Sequence, residues 1–150
     1  MFTILHVDDD ENDLLLLKNA AQMTQLPVKI VTTSDGDEAI NYLTGTGIHA
    51  DRDHYPLPSL VLLDLKMPRK NGFEVLEWIR SQPDLKRLPV VVFTSSRHGE
   101  DMNLGYDRGA NSYLIKPVML DELIELVKGL AHYWGHLNKT ASEGRGGEPT

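Results

Sequence analysis

Five short runs of apolar residues recur along the chain, and most of them show little alternation between polar and apolar positions. Such runs, rich in Val, Ile and Leu, are typical of strands buried on both faces of a parallel sheet. They are Ile4–Val7, Val28–Thr32, Leu60–Leu63, Leu88–Phe93 and Ser112–Ile115. Parallel strands need crossover connections, which are usually helices and are right-handed. The pattern therefore predicts an α/β fold, a doubly wound parallel sheet with helices on both faces.

The segments between these runs carry helical spacing or helix-starting residues. Asp10 and Asp13 are both candidates for the cap of a first helix that should extend to about Met23. Later helices are predicted to begin at Ser34–Gly36, near Phe73, near Glu100 and near Leu120. Residues 139–150 have almost nothing to bury, so we expect one domain over residues 1–138 and a disordered tail.

Three features have more than one interpretation. One helix face cannot bury all of Leu14–Leu17, so the excess is either ordinary surface leucine or a docking face for another helix. Residues 45–58 form a long loop in which His49 and His54 lack further clustered ligands. His132 and His136 are one helical turn apart, again without a third ligand. Both pairs are therefore interpreted as surface residues rather than metal sites.

Composition narrows the class of protein. The 150 residues are 41% hydrophobic and 25% charged, which is ordinary for one globular domain. The net charge of -7 argues against unspecific binding to nucleic acid or anionic lipid. With no Cys, disulfides, thiolate catalysis and Cys-ligated zinc are excluded. No apolar run approaches the ~20 residues of a membrane span, and the first is too short for a signal peptide. We expect a cytoplasmic protein with no nucleic-acid or membrane partner.

Polar residues of a useful kind follow four of the predicted strands. They are Asp8 and Asp9, Asp64, Thr94 with Ser95, and Lys116. All strands of a parallel sheet share one carboxyl edge, which is where such folds place their ligands. Clustered carboxylates repel one another unless a cation lies among them, and oxygen ligands suit Mg²⁺. A lysine and a hydroxyl opposite the metal would bind the oxygens of a phosphoryl group, so the implied reaction is phosphoryl transfer to a carboxylate.

The chain resembles a bacterial two-component response regulator receiver domain over about residues 3–136. The shared motifs are Val-Asp-Asp at 7–9, Asp-Gly-Asp-Glu-Ala at 35–39, Leu-Asp-Leu-Lys-Met-Pro at 63–68, Gly72, Thr94, and Gly-Ala-Asn-Ser-Tyr-Leu-Ile-Lys-Pro at 109–117. The resemblance implies a flavodoxin-like sheet of five strands in the order 2-1-3-4-5. It also implies that the chain accepts a phosphoryl group from a histidine kinase. Such a domain is not an enzyme in the usual sense, because it catalyses only its own phosphorylation and slow dephosphorylation.

The resemblance assigns a role to each residue of the site. Asp64 is the expected phosphoacceptor, and Lys116 is expected to pair with the phosphoryl group. Mg²⁺ would be held by Asp8, Asp9, Asp64 and the Lys66 carbonyl, while Thr94 and Tyr113 would carry the conformational switch. The family pattern further implies a cis bond between Lys116 and Pro117.

A narrower resemblance links the chain to the small regulators of phytochrome-type histidine kinases. It rests on the loop of residues 45–58, on Gly-Ala-Asn-Ser-Tyr at 109–113 and on Tyr133–Trp134 at the end of the last helix. Only a short tail follows that helix, so we expect output through protein contacts. The aromatic residues Tyr106, Tyr113, Tyr133 and Trp134 make a homodimer through the fourth and fifth helices one possibility; covering the core or docking the kinase is the other.

The competing hypothesis is a haloacid-dehalogenase-type phosphatase. Asp8-Asp9-Asp10 after an apolar strand also fits the Asp-x-Asp motif of those enzymes, with Asp8 as nucleophile and Asp10 as acid and base. That family needs an acidic pair after its lysine, whereas Lys116 is followed by Pro-Val-Met-Leu. It also leaves the motif around Asp64 unexplained, so the receiver domain is preferred.

Overall fold

The computed structural model describes residues 1–141. Its strands are β1 (Phe2–Val7), β2 (Val28–Thr33), β3 (Leu60–Leu63), β4 (Val90–Thr94) and β5 (Ser112–Ile115). The α-helices are α1 (Glu11–Met23), α2 (Gly36–Thr44), α3 (Gly72–Ser81), α4 (Gly99–Asp107) and α5 (Leu120–His132). All strand pairs are parallel, in the order β2-β1-β3-β4-β5. The predicted fold class and strand order are confirmed.

Two apolar clusters cover the two faces of the sheet, because successive strand residues point to opposite faces. On one face, α1 and α5 pack through Leu17 and Val127 against Ile4 of β1. On the other, α2 and α3 pack through Tyr42 and Leu76. β3 is fully buried on both faces, which agrees with its unbroken apolar sequence. The core therefore fixes the central strands, whose carboxyl ends carry the acidic residues.

The leucines of residues 14–17 differ in burial, as their positions around a helix require. Leu17 is fully buried, whereas Leu15 is 57% exposed and Leu16 is 47% exposed. The first helix is capped by Asp10, whose side chain accepts hydrogen bonds from the backbone N–H groups of Asn12 and Asp13. Asp13, the other predicted cap, lies in the first turn and has a different partner, described below.

The segment of residues 45–58 is more ordered than predicted. It contains a 3₁₀ turn at Gly47–Ala50. Arg52 donates hydrogen bonds to the carbonyl oxygens of Tyr42, at 2.9 Å, and Leu43, at 3.0 Å, which end α2. His49 packs between the rings of Tyr42 and Tyr55, with ring centroids 5.0 and 5.1 Å away. Arg52 thus holds the loop against α2 by donating hydrogen bonds to carbonyl groups that have no partner within the helix.

The remaining histidines have local partners. His54 Nδ1 lies 2.6 Å from a carboxylate oxygen of Asp51 in an exposed ion pair. The rings of His132 and His136 stack at 5.8 Å between centroids. Tyr133–Leu137 continues α5 as a π-helical turn.

Within residues 1–141 no helix is long and apolar enough to cross a membrane. The predicted disorder of the tail falls mainly on residues 142–150, which lie outside the described part of the chain.

The prediction of a cis bond at Lys116–Pro117 is wrong. No peptide bond within residues 1–141 is cis. The Lys116 N–H continues the sheet by donating to the Thr94 carbonyl at 2.8 Å, and the Lys116 ammonium still reaches Asp8 at 2.7 Å. The long lysine side chain therefore spans the distance to the acidic edge from a trans backbone.

Candidate functional site

The structure brings the predicted site residues together at the carboxyl edge of the sheet. The Asp64 N–H donates to the Val7 carbonyl at 3.0 Å, which places Asp64 beside the acidic residues that follow β1. Thr94 pairs in register with Ile115, and this pairing places Lys116 next to the end of β4. Parallel register alone therefore aligns the four strand ends.

Three carboxylates form the acidic part of the site. One oxygen from each of Asp8, Asp9 and Asp64 lies within 4.8 Å of the others. Asp8 is fully buried and Asp64 is 6% exposed, whereas Asp9 faces solvent. Carboxylate oxygens are the ligands that Mg²⁺ prefers, and one open side leaves room for water or a phosphate. The donor set fits a divalent cation of this kind.

Lys116 supplies the positive charge within the site. Its Nζ lies 2.7 Å from Asp8 Oδ2, 2.7 Å from Asp13 Oδ2 and 3.7 Å from Asp64 Oδ2. Burial opposes the charged form of Lys116, but hydrogen bonds to Asp13 and Asp8 raise its pKa above the ordinary value. The sequence assigned Asp13 only to a helix cap. Because α1 starts at this edge of the sheet, its first turn presents Asp13 to the lysine.

The two buried carboxyl groups have opposite pKa shifts. Burial raises the pKa of Asp64, and the charge of Asp8 adds to that effect while Lys116 opposes it. Burial also opposes ionisation of Asp8, but the adjacent His6, Lys116 and the Asp10 N–H together lower its pKa. His6 is itself fully buried, with Nε2 3.6 Å from Asp8 Oδ2. The folded protein therefore favours the ionised form of Asp8 and disfavours the ionised form of Asp64.

A cavity of about 360 Å³ opens on the other side of Asp64. It is lined by Asp64, Lys66, Thr94, Ser95, Ser96, His98 and Lys116. The buried Thr94 hydroxyl lies beside Asp64 and acts to lower its pKa, against the larger effect of burial. The hydroxyl of Tyr113 donates to the Ser96 carbonyl at 3.0 Å, which connects β5 to the rim of this cavity. Cations and hydroxyl groups surround the exposed side of Asp64, as an incoming anion requires.

The rim of the cavity contains a contact that the sequence did not indicate. The Ser96 hydroxyl donates to Asp101 Oδ2 at 2.5 Å, and Lys66 Nζ lies 3.3 Å from the same oxygen. Asp101 belongs to α4, so one carboxylate joins the segments after β3 and β4 to this helix. The hydrogen bond from Ser96, followed by that from Lys66, lowers the pKa of Asp101. A lone aspartate in a helix has no sequence pattern that reveals such a partner.

Gly72 holds the backbone beneath the phosphoacceptor candidate. A Cβ atom at Gly72 would lie 2.1 Å from the Asp64 carbonyl oxygen and 2.8 Å from Leu65 Cα. The Gly72 N–H donates to the Leu65 carbonyl at 3.1 Å. The preceding Asn71 forms a reciprocal capping box with Glu74 that starts α3. Only glycine permits this close approach, which explains the Asn-Gly pair in the sequence.

The geometry does not favour the phosphatase hypothesis. That mechanism needs the Asp10 carboxyl as acid and base beside a nucleophilic Asp8. Asp10 instead caps α1, and its own N–H donates to Asp8 Oδ1 at 2.9 Å. Asp8 is fully buried, and the cavity is lined by Asp64. Access to the nucleophile therefore favours Asp64.

Comparison with known proteins agrees with the geometry. The family model for the response regulator receiver domain matches residues 4–128. Response regulator Rcp1 of Synechocystis sp. is 36% identical over 131 residues, which is 87% of each chain. The phosphorylated cyanobacterial phytochrome response regulator RcpA superposes with a TM-score of 0.84 at 38% identity, covering 94% of this chain and 99% of that one. The Mn²⁺-bound form of Rcp1 gives 0.79 at 33% identity, with the same two coverages.

The matched residues include Asp8, Asp9, Asp64, Thr94 and Lys116. The fold, the strand order and the convergence of these side chains are all present in the structure. The family is one of signalling domains rather than of phosphatases, and the chain belongs to the response regulator receiver domain family.

Proposed function

We propose that this protein is a response regulator that accepts a phosphoryl group from a histidine kinase on Asp64. One observation carries the assignment. Among the three clustered carboxylates, Asp64 is the one that also lines the cavity with Thr94 and Lys116. A phosphoryl group on Asp64 would therefore have a metal-binding group on one side and a cation and a hydroxyl on the other.

Mg²⁺ is the proposed cofactor, held by the carboxylates of Asp8, Asp9 and Asp64 and by the carbonyl of Lys66. When bound, it supplies positive charge to the phosphoryl oxygens. The structure of Rcp1 with Mn²⁺ supports a divalent ion in this family. Lys66 contributes through its backbone in this proposal, since its side chain is 65% exposed and lies beside Asp101.

In the transfer step, a carboxylate oxygen of Asp64 bonds to phosphorus as the phosphorus–nitrogen bond of a phosphohistidine breaks. The imidazole leaves with the bonding pair and takes a proton from solvent. Lys116, now 3.7 Å from Asp64, would move from Asp8 and Asp13 to a phosphoryl oxygen. Thr94 and Tyr113 would carry the switch, since Thr94 contacts Asp64 and Tyr113 contacts the Ser96 carbonyl at the same rim.

The proposed donor is a phytochrome-type histidine kinase, because RcpA is a phytochrome response regulator and is 38% identical to this chain. The donor histidine must come within bonding distance of Asp64, so the kinase must cover the neighbouring surface. Leu15 and Leu16 of α1 and Leu120 of α5 are exposed, and Leu16 and Leu120 line one shared surface pocket between the two helices. We assign these leucines to kinase docking. The domain would span residues 1–138, act in the cytoplasm and signal through protein contacts.

The test compares two classes of phosphate compound. A small acyl-phosphate donor with Mg²⁺ should add one labile phosphate per chain, and Asp64→Asn should abolish it. Asp10→Ser keeps an N-cap acceptor and should remain phosphorylatable. Steady hydrolysis of a simple phosphate monoester, lost in Asp10→Ser but retained in Asp64→Asn, would instead establish the phosphatase.

A further inference from the structure

Helix α4 is attached to the rest of the molecule by few contacts. Gly105 is the one buried residue of this fully described helix. Its N-cap residue, His98, makes no side-chain capping hydrogen bond. The first turn instead has Asp101, whose carboxylate is 16% exposed and contacts Ser96 and Lys66. The side chain of Asp101 therefore makes the main polar contact between the first turn of α4 and the rim of the site.

Asp101 uses the donors that a phosphoryl group would need. Lys66 and Ser96 both line the cavity beside Asp64, and both point to the same oxygen of Asp101. The carboxylate has the charge sign and the acceptor chemistry of a phosphoryl oxygen. An aspartyl phosphate would carry about two negative charges, placed on the phosphoryl oxygens, where the ionised carboxylate carries one. Its stronger charge would attract Lys66 and repel Asp101.

We propose that Asp101 is a positioning residue that holds Lys66 and Ser96 at the rim of the cavity before phosphorylation. When Asp64 is phosphorylated, Lys66 moves from Asp101 to the phosphoryl group, and this releases the first turn of α4. This inference rests on the proposed phosphorylation of Asp64. It goes further by naming the contact that carries the change from the site to the helix.

Hydrogen exchange of the peptide containing residues 99–103, followed by mass spectrometry, tests the release. In the wild-type protein, phosphorylation should speed exchange roughly twofold to fivefold, the effect of losing one ion pair whose lysine side chain is largely exposed. Asp101→Asn keeps an acceptor for Ser96 but removes the charge that binds Lys66. It should show this faster exchange without phosphate and gain little more on phosphorylation. Glu100→Gln removes the same charge from the same turn without touching the site and should behave as wild type.

A double-mutant cycle tests the partner. Lys66→Met should speed exchange as Asp101→Asn does, and the double variant should add little to either, because both remove one contact. Additive effects, or wild-type exchange in unphosphorylated Asp101→Asn, would overturn the proposal. Intact mass separates this failure from that of the proposed function. If the wild type took up no phosphate, the assignment of Asp64 would be wrong. Hydrogen exchange in the unphosphorylated variants would still show whether the contact between Asp101 and Lys66 holds the first turn of α4.

Discussion

Asp64 and Asp8 occupy one buried edge, yet their environments act on them in opposite directions. Burial and the neighbouring Asp8 raise the pKa of Asp64, whereas hydrogen bonding lowers the pKa of Asp8. Compared with the unfolded chain, the folded protein therefore disfavours the ionised form of Asp64. An ionised, buried group that lacks its cation reduces stability. The site is built for a cation rather than for the stability of the metal-free protein.

Asp64→Asn should therefore stabilise the metal-free protein at pH 7 by about 1 kcal/mol, the typical scale of a point mutation. Because the folded pKa of Asp64 is raised, the cost of its charge is present above that pKa. The cost disappears as the pH falls below about 3.9, the unfolded pKa. Urea unfolding with a chelator should show a gain that shrinks in acid. Added Mg²⁺ should reverse the order, because only the wild type binds it well.

The control for this prediction is Asp107→Asn, an exposed carboxylate at the far end of α4. It should change stability by less than about 0.5 kcal/mol at any pH. A wild type that is more stable than Asp64→Asn in chelator at pH 7 would contradict the account of the buried charge.

Lys66 and Ser96 should also set the lifetime of the phosphoryl group. Both line the cavity beside Asp64, where a water attacking phosphorus in line would approach, yet neither an ammonium nor a short serine hydroxyl is suited to accept its proton. Lys66→Asn and Ser96→Glu, singly and together, should speed loss of phosphate by about tenfold or more. Decay of the phosphorylated protein in Mg²⁺ measures this. Lys70→Asn, outside the cavity, is the control, and unchanged or slower decay in the first two variants would refute the idea.

At the scale of elements, α3 is fixed to the site by Gly72. Gly72→Ala would place a methyl group 2.1 Å from the Asp64 carbonyl, so the backbone of the phosphoacceptor must move. We expect a loss of about 1–3 kcal/mol in the free energy of unfolding, as for overpacking, and slower phosphorylation. Gly99→Ala at the same position of α4 meets open space and should retain both properties. Equal phosphorylation rates for the two variants would contradict the role of Gly72.

The sequence was sufficient to predict the strands and helices and to predict that the site residues meet at one edge of the sheet, because both predictions follow from local patterns. Unbroken apolar runs identified the central strands, and parallel topology then brought Asp8, Asp64 and Lys116 to one edge. The contacts of Asp13 and Asp101 were not predictable in this way. Each is an acidic residue in the first turn of a helix, where the pattern indicates capping or a favourable dipole. The lysine that each one contacts, Lys116 for Asp13 and Lys66 for Asp101, is distant in sequence.

Long-range contacts also explain the other differences. Residues 45–58 were predicted as plain loop, but Arg52 orders them by binding the end of α2. Arg80 similarly donates to the carbonyl oxygens of Gly109 and Leu88 and to the side chain of Asn111, joining α3 to the segments that flank β4 and β5. A single arginine in a sequence does not reveal several acceptors from separate segments. The trans Lys116–Pro117 bond differs from the expectation taken from the family, and Lys116 still reaches Asp8.

At the scale of the whole molecule, we propose that α4, β5 and α5 form the dimer face. β5 is one of the two edge strands of the sheet, and all four of its residues are only partly buried. A groove of about 520 Å³ beside it is lined by apolar residues that include Leu126, Tyr133 and Trp134. The free edge of β5 favours a second copy of this chain as the occupant. Sedimentation at high micromolar concentration should show a dimer that Tyr133→Ser weakens.

Ile48 provides the control for the dimer, since it is 71% exposed in the segment after α2, outside the proposed face. Ile48→Ser should leave the sedimentation coefficient unchanged. A wild-type monomer with and without a phosphoryl mimic would remove the dimer, and the groove would then be assigned to the kinase or a downstream protein.

Mapping the phosphorylated residue tests the central claim most directly. Borohydride reduces an aspartyl phosphate to homoserine, which peptide mass spectrometry locates in the sequence. After phosphorylation by a histidine kinase with Mg²⁺, we predict homoserine at position 64 and at no other aspartate, with none when the metal is chelated. Homoserine at Asp8, the nucleophile of the phosphatase hypothesis, or at Asp9 with Asp64 intact, would contradict the account.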